Sequence, residues 1–218
     1  GKHVKLSSVV KGNAYGHGIE EFVPLAEELG VNHFSVFSAD EAVRVKNVVS
    51  PDTDVMVMGM IENEGMHWAI ENNVEFYVHS FIGLEEAIGL AKKLGVPAKI
   101  HVEIETGLNR TGFARPELSR LVTRIKKNSK HAELTGLCTH FAGAESVANY
   151  YRIKGQMAEY RRIFRYFVRR KLKPRLRHAG CSAAMINYPE TRMDMVRVGM
   201  LQYGSWPSDE TFIQYMKG

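Results

Sequence analysis

The sequence has little cysteine and no long apolar run. Its 218 residues include two cysteines, Cys138 and Cys181, too few for the disulfide framework of a small secreted domain. No stretch is long and apolar enough to span a bilayer, and the first residues lack the apolar core of a secretion signal. We therefore expect a cytoplasmic protein without a membrane partner.

Acidic residues are scarce in one segment. Residues 152–177 contain eleven lysines and arginines but a single acid, Glu159, although the net charge of the whole chain is only +5. A basic stripe of this kind can bind nucleic acid. Apolar residues recur within it at three- and four-residue spacing, which is typical of an amphipathic helix whose basic face is solvated. These residues are Met157, Tyr160, Phe164 and Phe167. Since no nucleic-acid-binding motif accompanies the stripe, we expect no nucleic-acid partner.

The sequence also lacks a G-x-G-x-x-G segment after its first apolar run, which argues against a dinucleotide-binding fold. Short, β-branched apolar runs alternate with helical patterns, and the runs are continuous, as in strands that are buried on both faces. Eight strands are predicted, at residues 5–11, 33–37, 54–59, 75–78, 99–104, 134–140, 175–179 and 195–199. This alternation predicts a closed (β/α)8 barrel or an open doubly wound sheet, built as one domain over residues 1–218.

Helical patterns fill the gaps between the strands. One buried helix face is predicted from the spacing of Phe22, Leu25, Ala26 and Leu29. Residues 38–41, Ser-Ala-Asp-Glu, have the spacing of a capping box at the start of another helix. Residues 209–217, after the eighth strand, allow little more than two helical turns, so the eighth outer helix of a barrel is hard to identify.

Residues 9–18, VVKGNAYGHG, place Lys11 where an apolar strand runs into a glycine-rich turn. A buried amine at the end of a strand is costly unless something uses it. One use is an imine with an aldehyde cofactor, and the alternative is a strand that ends in a solvated lysine. The glycines and Tyr15 favour the first interpretation.

Other reactive side chains follow later strands. They are Arg110 after the fifth strand, His140 at the end of the sixth, His178 and Ser182 at the seventh, and Arg197 in the eighth. In a parallel barrel the C-terminal ends of the strands meet at one face, so we expect these residues around one site. We assign no metal site.

These motifs, in this order, resemble those of the barrel domain of alanine racemases, and the resemblance covers nearly the whole chain. It implies a (β/α)8 TIM-type barrel that binds pyridoxal 5'-phosphate (PLP) as an imine on Lys11. It further implies that Tyr15, Ser182 and the backbone amides of Gly199 and Met200 bind the cofactor phosphate, which suits hydroxyls and free amides.

The resemblance also assigns the remaining candidates. Arg197 would face the pyridine nitrogen, with His140 and His178 as the partners that hold it. Arg110 would bind the phenolic oxygen of PLP and the substrate carboxylate. An arginine cannot accept a proton, so the ring nitrogen stays unprotonated and the cofactor is a weaker electron sink. That suits a racemase, which must return a proton to Cα.

Two positions depart from the family pattern. A carbamylated lysine often stands seven residues before the arginine and supplies an anion that positions it, whereas this chain has Glu103 there. Asn109 stands where glycine is frequent. A glutamate can supply the negative charge without carbamylation, though on a shorter side chain.

The resemblance implies an enzyme that interconverts L- and D-alanine and supplies D-alanine for peptidoglycan. Racemases for serine or lysine share the barrel and stay open as alternatives, as does a non-catalytic PLP-binding barrel. In the family the second acid/base is a tyrosine on a C-terminal β domain, contributed by the partner subunit of a homodimer. This chain lacks that domain and the outer helix before the first strand. We therefore expect it to be the barrel part of a longer protein, inactive alone and prone to self-association.

Overall fold

Eight parallel strands form the centre of the molecule in the computed structural model, which describes residues 4–217. All eight predicted strands are present. They are β1 (Lys5–Val9), β2 (His33–Val36), β3 (Asp54–Val57), β4 (Glu75–Val78), β5 (Ala98–Glu103), β6 (Ala132–Cys138), β7 (Leu176–His178) and β8 (Met195–Val198). Each pairs with its sequence neighbour from β1 to β7, and β8 pairs with β1.

The sheet closes into a barrel. A parallel ladder joins β1 to β8, from Lys5 opposite Met195 to Ser8 opposite Val198. Two backbone hydrogen bonds link β7 and β8 near their ends. The Arg197 amide donates to the Gly180 carbonyl at 2.9 Å, and the Asp194 amide donates to the Arg177 carbonyl at 3.2 Å. The closed (β/α)8 barrel is therefore confirmed, and the open sheet is excluded.

Side chains from the loop after β8 also tie β8 to β1. Ser8 Oγ donates to Gln202 Oε1 at 2.7 Å. The Val9 carbonyl accepts from Gln202 Nε2 at 2.8 Å and from Tyr203 Oη at 3.1 Å. The backbone just before Lys11 is thus held from across this β1–β8 seam.

Helices surround the barrel and bury most of the outer faces of the strands. The expected continuous apolar pattern is wrong for β2, β4 and β5, where outward Phe34, Phe76 and Ile100 alternate with polar residues that face the barrel interior. The helices are α1 (Lys11–Tyr15), α2 (Ile19–Glu28), α3 (Ala39–Lys46), α4 (Asn63–Glu71), α5 (Phe81–Leu94), α6 (Leu118–Lys127), α7 (Tyr150–Arg169), α8 (Ser182–Asn187) and α9 (Asp209–Lys217). Within residues 4–217, none of them combines the length and the hydropathy that a bilayer crossing requires.

Two helix predictions have different outcomes. The α7 prediction is confirmed, since Met157, Tyr160 and Phe167 are buried while its basic residues face solvent. The predicted face of α2 is partly wrong, because Leu25 and Leu29 are largely exposed. The helix begins at Ile19, and its buried stripe is Ile19, Val23 and Ala26.

The last helix does not take the place of an eighth outer helix. Helix α9 packs against α8, and the Glu210 carboxylate accepts from the Val147 amide at 2.5 Å. Leu6 lies on the outer face of β1 and is 41% exposed. The expected gap in the outer layer therefore lies beside β1.

Two glycines should respond in opposite ways to alanine. A Cβ on Gly136 would lie 2.0 Å from His101 Nδ1, whereas a Cβ on Gly155, in the exposed part of α7, would have nothing within 4 Å. Because overpacking is costly, Gly136→Ala should lower the free energy of unfolding by about 1–3 kcal/mol. Gly155→Ala should raise it by about 1 kcal/mol through helix propensity. Urea denaturation of both variants measures the free energy of unfolding. Equal changes in the two variants would contradict the close packing of Gly136 against His101.

Candidate active site

A cavity of about 720 Å³ opens at the C-terminal mouth of the barrel. This volume is in the range of small-molecule sites. Eight of the nine predicted site residues line it, namely Lys11, Tyr15, Arg110, His140, Ser182, Arg197, Gly199 and Met200. The ninth, His178, is fully buried behind Arg197. The structure thus brings the sequence-predicted residues together at one site.

Lys11 enters the cavity from an unusual turn. Residues 12–15 form a left-handed helical turn with φ values of 62°, 55°, 54° and 53°. This conformation costs roughly 1–2 kcal/mol per residue for ordinary L-amino acids, while glycine and asparagine tolerate it best. Gly12 and Asn13 therefore start the turn, and Ala14 and Tyr15 are held in it by their surroundings.

Glu41 provides part of that support. Its carboxylate accepts from the Gly12 amide at 2.6 Å and from the Phe37 amide at 2.9 Å. The predicted capping box at residues 38–41 is therefore only half formed. Ser38 Oγ accepts from the Glu41 amide at 3.3 Å, but the Glu41 side chain reaches across to the Lys11 turn instead of returning to Ser38.

Two hydroxyls and a backbone amide meet on one side of the cavity. The Gly199 amide donates to Ser182 Oγ at 3.1 Å, and a Cβ on Gly199 would come within 2.6 Å of Tyr15 Oη. Burial, with a smaller contribution from Cys181, raises the pKa of Tyr15, so its hydroxyl stays protonated. Met200 follows directly and starts a short 3-10 turn. This is a donor-rich pocket that only a residue without a side chain fits at position 199.

Arg197 is 5% exposed and is held by acceptors on β6 and β7 and the residues that follow them. Its Nη1 donates to His178 Nδ1 and, at 3.2 Å, to the His178 carbonyl. Its Nη2 donates to the carbonyls of Thr139 at 3.2 Å and Ala179 at 3.4 Å. Its Nε makes no hydrogen bond among residues 4–217, and the Arg197 side chain lines the cavity.

The two predicted histidine partners behave differently. Burial, followed by the charge of Arg197, lowers the pKa of His178 well below its ordinary value, so His178 is neutral and accepts from the guanidinium. His140 lines the cavity, and burial followed by the charges of Arg197 and Arg110 lowers its pKa to about 4. Within residues 4–217 its ring makes no hydrogen bond to Arg197, which is instead bound by the carbonyl of Thr139, the residue before it.

Glu103 lies beside Arg110 but is held by other residues. Its Oε2 accepts from His79 Nδ1 at 2.8 Å and from Thr111 Oγ1 at 2.7 Å. Burial alone would raise the pKa of Glu103, but these hydrogen bonds and the charge of Arg110 lower it. No ion pair joins Glu103 to Arg110 in the part of the chain that the structure describes. The carboxylate thus supplies a buried negative charge near Arg110 without touching it.

The second departure from the family pattern has a backbone reason. Asn109 has a φ of 59°, a left-handed conformation that glycine adopts freely and asparagine tolerates. Its amide donates to Glu105 Oε2 at 2.8 Å, which fixes the loop that carries Arg110. Asparagine therefore performs the conformational role of a glycine here.

Comparison with known proteins decides the family. The sequence profile described as alanine racemase, N-terminal domain, matches residues 1–207. The chain belongs to the alanine racemase family. It is 32% identical over 209 residues to an alanine racemase of Methanococcus maripaludis, covering 94% of this chain and 54% of that protein. It is 33% identical over 210 residues to one from Listeria monocytogenes, covering 96% and 54%.

Solved structures agree with this assignment. The alanine racemase of Streptomyces coelicolor superimposes with a TM-score of 0.90 at 29% identity, over 96% of this chain and 56% of that one. The Clostridium difficile alanine racemase in complex with cycloserine gives a TM-score of 0.87 at 30% identity, over 97% and 58%. This chain thus spans about half the length of the alanine racemases that it matches.

Sequence reasoning missed several residues of this cavity. Phe37, Met58, Met60, Tyr77 and His79 also line it. Four of them follow the ends of β2, β3 and β4, and Tyr77 lies within β4. The rule that strand ends face the mouth could have found those four, but three are apolar and carry no chemical motif.

The neutral state of His140 should make the fold sensitive to acid. Its folded pKa of about 4 lies below the ordinary 6.5, so the unfolded chain binds more protons between those values. Its contribution is complete above about pH 6.5 and is lost as the pH falls toward 4. At about pH 5 the loss is up to about 2 kcal/mol.

His140→Gln should therefore lose less stability than the parent protein between about pH 7.5 and about pH 5. Urea denaturation without added cofactor measures the difference at the two pH values. His67→Gln, on the exposed side of α4, is the matched control. Identical losses in His140→Gln and the parent would contradict the buried, neutral state of His140.

Proposed function

We propose that this chain is the cofactor-carrying barrel of an alanine racemase, which interconverts L- and D-alanine with PLP bound to Lys11. The observation that supports it most is the content of one cavity. Lys11, the donor-rich pocket at Gly199 and the guanidinium side chain of Arg197 all border the same 720 Å³ space. These are the groups that would bind the aldehyde, the phosphate and the ring nitrogen of PLP.

The cavity also fits PLP by charge. Three cationic side chains line it, Lys11, Arg110 and Arg197, against the carboxylates of Glu103 and Glu145. Glu145 is exposed at the rim, and Glu103 is already engaged by His79 and Thr111. With three cations against two carboxylates, one of them already engaged, the cavity lining is suited to an anion such as a phosphate monoester.

When bound, PLP withdraws electrons from Cα of an amino acid attached to it and acidifies the Cα–H bond. The chain's own residues would set the limits of that effect. Arg197 offers a donor and no acceptor toward the ring nitrogen, so it does not favour protonation of that nitrogen. Lys11 Nζ would hold the cofactor and move the proton on one face of Cα. Arg110 would bind the substrate carboxylate, with Glu103 as the nearby negative charge.

A second acid/base is needed on the opposite face of Cα. We assign none in residues 4–217, because Tyr15 and Tyr203 are committed to the donor pocket and to the Val9 carbonyl. We propose that the partner subunit of a homodimer supplies it, from the region where the family members are longer. The proposed setting is cytoplasmic, and the product would be D-alanine for peptidoglycan.

The lysine assignment is tested by trapping. The full-length natural protein is incubated with PLP, reduced with borohydride and mapped by peptide mass spectrometry. A pyridoxyl group should be found on Lys11 and should disappear in Lys11→Ala. Lys92→Ala, which removes an exposed lysine of α5, should label like the parent. Equal labelling of Lys11→Ala would overturn the assignment.

Racemisation separates the enzyme from a non-catalytic barrel. The full-length protein should interconvert L- and D-alanine, while purified residues 1–218 should be slower by about 10²–10⁴-fold, the usual value of a general acid/base. A chiral assay of alanine, serine and lysine measures both. Activity on serine or lysine alone would assign a different substrate, and near-normal turnover by residues 1–218 would show that the second base lies inside the barrel.

A further inference from the structure

A network of hydrogen-bonded polar side chains crosses the interior of the barrel from Arg197. His178 accepts from Arg197 at Nδ1, and its Nε2 lies 2.7 Å from His101 Nδ1. His101 Nε2 lies 2.8 Å from Glu75 Oε2. Two imidazoles therefore connect the guanidinium at the cavity to a carboxylate on β4.

The network of hydrogen bonds continues beyond Glu75. His33 Nε2 lies 3.2 Å from the same oxygen, Glu75 Oε2. His33 Nδ1 lies 2.9 Å from Ser7 Oγ, which in turn contacts Ser35 Oγ. Glu75 is thus the one acceptor-only group between two histidines, and it is 1% exposed.

The two ends fix the direction of every proton between them. A guanidinium only donates, so His178 Nδ1 must be unprotonated and its Nε2 must carry the hydrogen. His101 then accepts at Nδ1 and donates from Nε2 to the Glu75 carboxylate. With Ser7 donating to His33, the same rule makes His33 Nε2 a donor to Glu75. One set of neutral histidine tautomers gives every hydrogen bond of this network a donor and an acceptor.

Electrostatics agree with this assignment. Burial lowers the pKa values of His33 and His178, so both stay neutral. Burial alone would raise the pKa of Glu75, but the hydrogen bonds that His101 and His33 donate to its carboxylate lower it. Glu75 is therefore ionised, although it is buried.

Burying the charges of Arg197 and Glu75 inside the barrel costs free energy, and filling the interior does not require it. Among residues 4–217 no carboxylate contacts Arg197 directly. Neighbouring positions of the barrel interior are filled by an apolar cluster that includes Met56, Tyr77, Cys138 and Met195. Buried ionic groups are often no more stabilising than apolar residues of similar volume. Their presence here points to a role in fixing a donor at the cavity.

We propose that Glu75 is a positioning residue for the cofactor ring: through His101 and His178 its carboxylate sets the tautomers that keep Arg197 oriented as a donor to the cavity. The consequence for catalysis rests on the proposed function. The tautomer pattern itself does not, because it is a property of the protein before any cofactor binds.

The first test is made on the unaltered, full-length protein without PLP. Selective 15N labelling of histidine distinguishes a protonated ring nitrogen from an unprotonated one by chemical shift. His101 and His178 should both be neutral, with hydrogen on Nε2. A hydrogen on Nδ1 of His178, or a cationic His101, would overturn the proposal without any variant.

The second test separates the charge of Glu75 from its shape. Glu75→Gln keeps the shape and removes the charge, and its amide can donate to His101 Nε2. Where it does, the hydrogens move to Nδ1 of His101 and His178 and the Arg197 contact with His178 Nδ1 is lost, so a mixture of tautomers should appear. Glu75→Asp keeps the charge and should retain the parent pattern. Glu133→Gln, at a surface ion pair with Arg175, is the control and should change neither.

Racemisation then reports the consequence. Glu75→Gln should lower kcat by about 10- to 100-fold with little change in KM, as for outer residues that orient a ligand elsewhere. Glu75→Asp should recover part of that loss. Parent tautomers and activity in Glu75→Gln, or a greater loss in Glu75→Asp than in Glu75→Gln, would overturn the proposal. If PLP fails to bind at all, the proposed function fails, while the tautomer measurement still decides the role of Glu75.

Discussion

A buried guanidinium that contacts no carboxylate within residues 4–217 governs the polar interior of this barrel. Removing such a charge from water is expensive unless every donor finds an acceptor. Here the acceptors are backbone carbonyls at the ends of β6 and β7 and one neutral imidazole, His178. Because these groups hold both terminal nitrogens of Arg197, the orientation of its guanidinium at the cavity is fixed. The position of the guanidinium therefore follows from the closure of the barrel and not from a flexible loop.

The opposite wall of the cavity depends on a strained turn. Residues 12–15 adopt left-handed backbone angles that two of the four residues, Ala14 and Tyr15, disfavour. The Glu41 carboxylate, on α3, holds the Gly12 amide, and Arg44 donates to Asn13 Oδ1 at 2.6 Å. The neighbouring βα unit thus stabilises the turn that presents Lys11. Placing reactive groups within a fraction of an ångström requires this kind of support from outside the contacting residues.

The sequence reveals the strands and the main site residues because each leaves a local signature. Each strand is a short segment with buried apolar residues between two helical patterns, and a reactive side chain directly after it is conspicuous. Contacts between distant segments leave no such trace. Glu41 has the spacing of a capping residue, and only the fold shows that it reaches Gly12. Glu75, His101 and His33 lie on three strands and meet inside the barrel because each points inward. The alternation within each strand is visible in the sequence, but the contact between residues of three different strands is not.

The β1–β8 seam gives the barrel a mechanical property of its own. Val9 lies two residues before Lys11, and its carbonyl accepts from both Gln202 and Tyr203. The ring of Tyr203 also stacks on His17, with centroids 4.9 Å apart, on the far side of the same turn. The segment after the last strand therefore clamps the lysine turn at both ends. The barrel closes at the same contacts that hold the turn carrying Lys11. Weaker pairing between β1 and β8 would therefore displace the Lys11 amine.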